Sequence, residues 1–303
     1  MPKTQTKPSV CANCGYRFKD ENNFCPSCGQ KNHELKIPFK RLVVEVAENT
    51  LDIDSKAFKT IKYLLFKPGF LSSEFNMGKR VRYIPPIRLY LLISFIFFFL
   101  MNISSGPKST NNSLNGQQNQ KTKAGTHISF KSISTDDLVG LTKTQVDSLM
   151  RAKEIPETNF NKWVVYQLHK IAVNGMGQFR QLLMKNISYM MFVLMPVLGV
   201  LIYLFNRKRI NYYLESLVIS IHFHSFVFLF FTIIFLIELL INQSLIYLLW
   251  IVAPPVYMVL MFKSYFRQKI LITITKTFFV NVFYSISLIV LFLMTIAVSV
   301  ALV

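Results

Sequence analysis

The feature that most constrains this chain is a set of long, nearly uncharged apolar blocks that begin after residue 85. Blocks of this length exceed what one soluble core needs, and they match the hydrocarbon thickness of a bilayer. Five are expected to cross it: Pro86–Met101, Ile187–Phe205, Leu217–Ile241, Leu245–Phe262 and Thr277–Leu302. Backbone polar groups have no partner in lipid, so each block is expected to close its own hydrogen bonds as a helix. Pro196 and Pro254-Pro255 fall inside two of them and are expected to bend those helices. The fold class that follows is an all-α integral membrane protein of about five transmembrane helices with a small N-terminal zinc ribbon.

Composition fits this class. Of 303 residues, 52% are hydrophobic, and 34 Lys and Arg stand against 15 Asp and Glu, a net charge of +19. Such a balance reads either as nucleic-acid binding or as the loop charge of a membrane protein. The basic residues sit beside the apolar blocks, which favours the lipid bilayer as the partner and disfavours nucleic acid. Residues 1–35 hold no apolar run of signal-peptide length, so the first span is expected to serve as the insertion signal. Lys79, Arg80, Arg82 and Arg88 precede or open the first span; Arg207, Lys208 and Arg209 join the second to the third; Lys263, Arg267, Lys269 and Lys276 join the fourth to the fifth. The link around Asn242-Gln243 has no basic residue. This alternation predicts a cytoplasmic N-terminus and an extracytoplasmic C-terminus in a cell (inner) membrane. The basic loop 102–186 is too long for the rule to govern it.

All four cysteines lie in Cys11-Ala12-Asn13-Cys14 and Cys25-Pro26-Ser27-Cys28, each pair followed by a glycine. Two C-x2-C pairs supply the four thiolates of a tetrahedral zinc site, and the glycines allow each knuckle to turn and aim backbone N–H groups at sulfur. Disulfides would require an oxidising compartment, whereas loop charge places this end in the cytoplasm. With four ligand positions filled, the zinc is expected to be structural rather than catalytic. His33 is the one further ligand type nearby and is read as part of the linker.

Five regions follow: a zinc ribbon over 1–34, a basic amphipathic juxtamembrane segment over 35–85, the first span over 86–101, an extracytoplasmic loop over 102–186, and a four-span domain over 187–303. In the juxtamembrane segment, Phe39 to Val46 forms one candidate helix. Asp54 or Ser55 is expected to cap a second that runs to Phe66 and ends at Lys67-Pro68-Gly69. Phe58, Ile61 and Leu65 share a face of that helix, with the lysines mostly turned away; anionic headgroups or the protein itself could cover it. Within the loop, 104–125 reads as disordered. Asp136 or Asp137 is expected to cap a helix to Ala152, and the pattern Trp163, Val164, Leu168, Ile171 predicts an interfacial helix.

Polar groups inside spans are costly, which makes them candidates for function. His222, His224, Glu215 and Arg88 form a candidate polar site in the cytoplasmic leaflet; helix–helix hydrogen bonding is the alternative. At about 100° per residue, His222 and His224 point about 160° apart, so one helix cannot offer both to one metal.

Three patterns resemble a bacterial membrane family of unknown role, domain-of-unknown-function family 3667. They are Cys11–Gly15 with Phe24–Gln30; Thr60…Leu64…Lys67-Pro68-Gly69…Gly78-Lys79-Arg80…Tyr83…Pro86…Leu89-Tyr90-Leu91…Ser94; and Tyr213-x-Glu215…Ile221-His222-Phe223-His224-Ser225-Phe226. Where the family pattern carries Glu-His, this chain has Glu215-Ser216. The resemblance implies a zinc ribbon joined to membrane helices and implies no activity. The patterns together leave a membrane protein whose ribbon engages a cytoplasmic protein partner, with a transporter, a channel or a membrane enzyme as the alternative. No Walker or Rossmann glycine pattern or nucleophile–base pair points to an enzyme.

Overall fold

A computed structural model describes residues 8–19, 23–32, 56–104, 129–130, 132–174, 176–238 and 246–302. The expected helix over 39–46, the caps at Asp54 and Ser55, His33, the tract at 105–125 and the Asn242-Gln243 link lie outside them. The chain is an all-α membrane protein with an N-terminal cysteine cluster. Its helices are α1 (Lys56–Phe66), α2 (Phe70–Asn76), α3 (Pro86–Ser104), α4 (Lys143–Ala152), α5 (Asn159–Asn174), α6 (Met176–Asn206), α7 (Tyr213–Glu238), α8 (Ile246–Phe266) and α9 (Ile270–Leu302). Five of them, α3 and α6 to α9, are long and apolar enough to cross a bilayer. The helices run up to a dozen residues beyond the expected spans, because polar flanking turns continue the same backbone hydrogen bonding.

Contacts divide the chain into two compact units, Met1–Ser104 with Val193–Ser287, and Ser105–Phe192 with Leu288–Val303. In the first, α7 is the central element. Fourteen of the 26 residues of α7 are buried, whereas most of α9 is not. Ile87 packs against the Phe75–Val218 cluster, and the rings of Tyr90, Phe97 and Phe98 surround Phe228, so α3 runs parallel to α7. Helix α6 returns antiparallel: Gly199 lies against Leu217, and Ser220 donates to the Met195 carbonyl at 2.7 Å. Helix α8 is also antiparallel, with Phe226 stacked on Tyr257 and Phe231 in tilted contact with Trp250. Lys276 of α9 donates to Asn206 near the entry of α7, and Tyr284 meets His224 further along. Helices α3, α7 and α9 thus point one way and α6 and α8 the other, as a chain that repeatedly crosses a sheet of lipid requires. Large apolar side chains such as Phe95, Leu271, Phe278 and Leu293 face outward, which lipid accommodates and water does not.

The second unit holds a small packed core. Strands β1 (Ser129–Phe130) and β2 (Ile133–Ser134) pair antiparallel, with Phe130 opposite Ile133. Ile133, Leu138, Val146, Met150, Ile155, Val165 and Leu168 are buried together. One expectation is corrected here. Asp136 and Asp137 do not cap α4: they open a short 3-10 turn, where Asp137 accepts from the backbone and hydroxyl of Ser134. The cap is Thr142, which with Gln145 forms a capping box. The helix expected to lie at an interface, α5, contributes one face to this core. Leu168 of α5 is buried in the core and Val164 packs on it; Ile171 is also buried, while Trp163 stays exposed. The periodicity marked an apolar face, and the hairpin that covers it was not legible in so short a stretch.

Candidate metal centre and its seat on the juxtamembrane helices

Each cysteine pair sits on a tight backbone knuckle. Gly15 donates to the Cys11 carbonyl and Cys11 to that of Tyr16; Gly29 and Cys25 repeat the pattern with Cys25 and Gln30. Both glycines have positive φ, 79° and 72°, where a side chain would be strained. Single antiparallel bridges, Val10 with Arg17 and Phe24 with Lys31, close the two loops. The four sulfurs lie within 4.8 Å of one another, Cys11 to Cys28 at 3.7 Å and Cys14 to Cys25 at 3.6 Å. Sulfurs about 2.3 Å from a tetrahedral ion are about 3.8 Å apart, so the spacing suits one ion.

The Tyr16 backbone N–H beside Cys14 draws that thiol down to about 7. Burial pushes the Cys11 thiol up to about 12. A metal ion entering near neutral pH therefore displaces protons, as thiolate ligation demands.

Gln30, two residues after Cys28, joins this knuckle to the helices. Its side-chain Nε2 donates to the Gly78 carbonyl at 3.0 Å, and its Oε1 accepts from the Arg80 backbone N–H at 3.2 Å. One amide thus pairs with both polar groups of a backbone segment 50 residues away, in the manner of a strand edge. The collar around this contact is itself engaged. Lys79 pairs with the buried Glu74 at 2.7 Å, the Arg80 guanidinium lies 5.2 Å above the Phe75 ring, and that of Arg82 lies 6.0 Å from the Tyr83 ring.

Below the collar, α1 and α2 fill the wedge between α7 and α8. Gly69 makes the turn between them with φ 80°, and a Cβ there would stand 2.7 Å from the Met261 carbonyl. Asn76 donates to Tyr265 Oη at 2.8 Å and to the Glu215 carbonyl at 3.3 Å. Tyr257 donates to the Leu64 carbonyl at 2.6 Å. Lys67-Pro68-Gly69 therefore does more than end a helix: it folds the chain back so that α2 meets two spans.

The histidines face different neighbours. His222 Nδ1 lies 3.0 Å from Ser72 Oγ on α2 and 3.0 Å from the Val218 carbonyl. His224 Nδ1 donates to the Ser220 carbonyl at 2.9 Å, which leaves Nε2 to accept from Tyr284 Oη at 2.9 Å. Glu215 sits half-buried in the first turn of α7, and Arg88 keeps a buried Nε with no hydrogen-bond partner. Among the described residues, the metal-capable cluster is the four thiols. Sequence reasoning missed Gln30, Ser72, Asn76 and Tyr257. Each works through one long-range contact, and no local periodicity announces such a partner.

No curated protein and no solved structure matches this chain. Residues 54–98, from the approach to α1 into α3, match the family described as "Protein of unknown function (DUF3667)", and through that segment the chain resembles this family.

Proposed function

We propose that this is a multi-pass protein of a cell (inner) membrane, N-terminus in the cytoplasm and C-terminus outside, whose structural zinc ribbon engages a cytoplasmic protein partner. Positively charged links between the spans support the orientation. Cys11, Cys14, Cys25 and Cys28 would hold the zinc, which supplies a cross-link and, with four thiolates, offers no open position for substrate. The observation that carries the reading is the way the ribbon is seated. Gln30 fixes one edge on the collar, while Val10 and Phe24 remain 43% and 58% exposed. A rigid knuckle that presents apolar side chains to water is suited to protein contact. The dense positive charge lies beside lipid-facing helices, which accounts for it without nucleic acid.

The test is co-purification with the full-length protein in detergent, with and without a chelator. The reading expects a protein that is retained with metal, released by chelation and lost in Phe24→Ser. Retention that ignores both changes would contradict it.

A second reading is a polar site for transport or a membrane-embedded reaction at His222, His224, Glu215 and Arg88. The unpartnered buried Nε of Arg88 favours it; the engaged histidine nitrogens favour hydrogen bonding between helices. Solute uptake in proteoliposomes that His222→Leu with His224→Leu abolishes would establish it, and unchanged uptake or none would remove it.

A further inference from the structure

Helix α1 carries a face that no described part of the protein covers. Its sequence, KAFKTIKYLLF, contains three lysines and no carboxylate. Thr60 and Leu64 are buried against the bundle. On the other side Phe58 is 77% and Phe66 76% exposed, and Lys59 and Lys62 are exposed with them. At about 100° per residue, Lys62, Phe66 and Lys59 lie about 40°, 80° and 100° round from Phe58. Two aromatic rings and two ammonium groups therefore alternate on one narrow arc. Lys67, just past the helix, lies 5.0 Å from the Tyr63 ring and 5.6 Å from that of Phe70. The nearby carboxylate, Glu74, is taken by Lys79.

The opposite side of α1 is tied to a span. Leu64 accepts from Tyr257 of α8, and the turn after α1 packs on Met261, Ser264 and Tyr265, next to Lys263 at the polar end of that span. The helix is thus held where a bilayer's headgroups begin. Rings that insert between acyl chains and ammonium groups that meet phosphates are the two halves of interfacial binding.

We propose that the Phe58–Lys59–Lys62–Phe66 arc of α1 is a binding surface for anionic phospholipid headgroups of the membrane that the protein spans. This goes beyond insertion of the spans, because it requires preference for one lipid charge. Each lysine near an anionic surface strengthens association roughly fivefold, so neutralising both weakens it roughly 25-fold.

The experiment places the photoreactive p-benzoylphenylalanine at position 58, and separately at 66, in the full-length protein. The protein is held in nanodiscs of equal phosphatidylglycerol and phosphatidylcholine, and adducts are identified by mass spectrometry. The expected result is phosphatidylglycerol adducts in excess at both positions, with the excess lost in Lys59→Gln with Lys62→Gln. Both lysines are exposed, so the melting temperature should stay unchanged. Equal adducts with the two lipids would overturn the charge preference. Adducts to the chain itself or to a second protein, or none with lipid at either position, would overturn the lipid surface altogether.

Discussion

At the scale of single residues, the account rests on side chains whose contacts bridge distant parts of the sequence. Gln30→Ala removes both hydrogen bonds to the 78–80 backbone. Loss of paired bonds at a half-buried site costs about 1–2 kcal/mol, so a lower melting temperature in detergent is expected, with the metal retained. Gly69→Ala places a methyl 2.7 Å from the Met261 carbonyl at a φ of 80°. Overpacking at a left-handed position costs about 2–4 kcal/mol, read as a larger fall in the same melting temperature. Glu157 supplies a pH test. Lys162 and Arg151, each 2.7 Å away, hold its carboxyl down from 4.5 to about 2. A depressed folded-state value contributes stability above pH 4.5 that disappears as pH falls toward 2. The melting difference between wild type and Glu157→Gln should therefore be present at pH 6 and close over that range.

At the scale of elements, much was legible because the physics is local. The apolar blocks gave the five long helices, since length and lack of charge suffice to identify them. Cys11, Cys14, Cys25 and Cys28 with their glycines gave the knuckles, since ligand spacing and turn geometry lie within a few residues. Lys67-Pro68-Gly69 gave a helix end. What the spacing did not carry was tertiary pairing. Asp136 and Asp137 have the chemistry of a cap, yet Asp137 bonds to Ser134 and Thr142 takes the cap. Val164 and Leu168 lie on an amphipathic face, and their spacing does not say that Ile133, Met150 and Val146 pack against it. Likewise the sequence placed Ser72 beside nothing, and the fold brings it to His222. The 129–174 core makes its own prediction. Met150 is 1% exposed, so Met150→Ala should cost about 2–5 kcal/mol. Proteolysis of this segment should accelerate, while cleavage around α7 should not change.

At the scale of the whole molecule, the claim is that a metal-ordered ribbon, the α1–α2 hairpin and the central span α7 form one mechanical path. Zinc would order the Cys25–Gln30 knuckle, Gln30 would hold the 78–80 collar, and α2 carries that position to α7 and α8 through Ser72 and Asn76. The measurement that tests this most directly is amide hydrogen exchange of the full-length protein in detergent, with zinc bound and after chelation. The account predicts that chelation speeds exchange at the cysteine knuckles and also at Arg80, whose N–H bonds to Gln30. Opening of the knuckles with no change at residues 78–80 would contradict it.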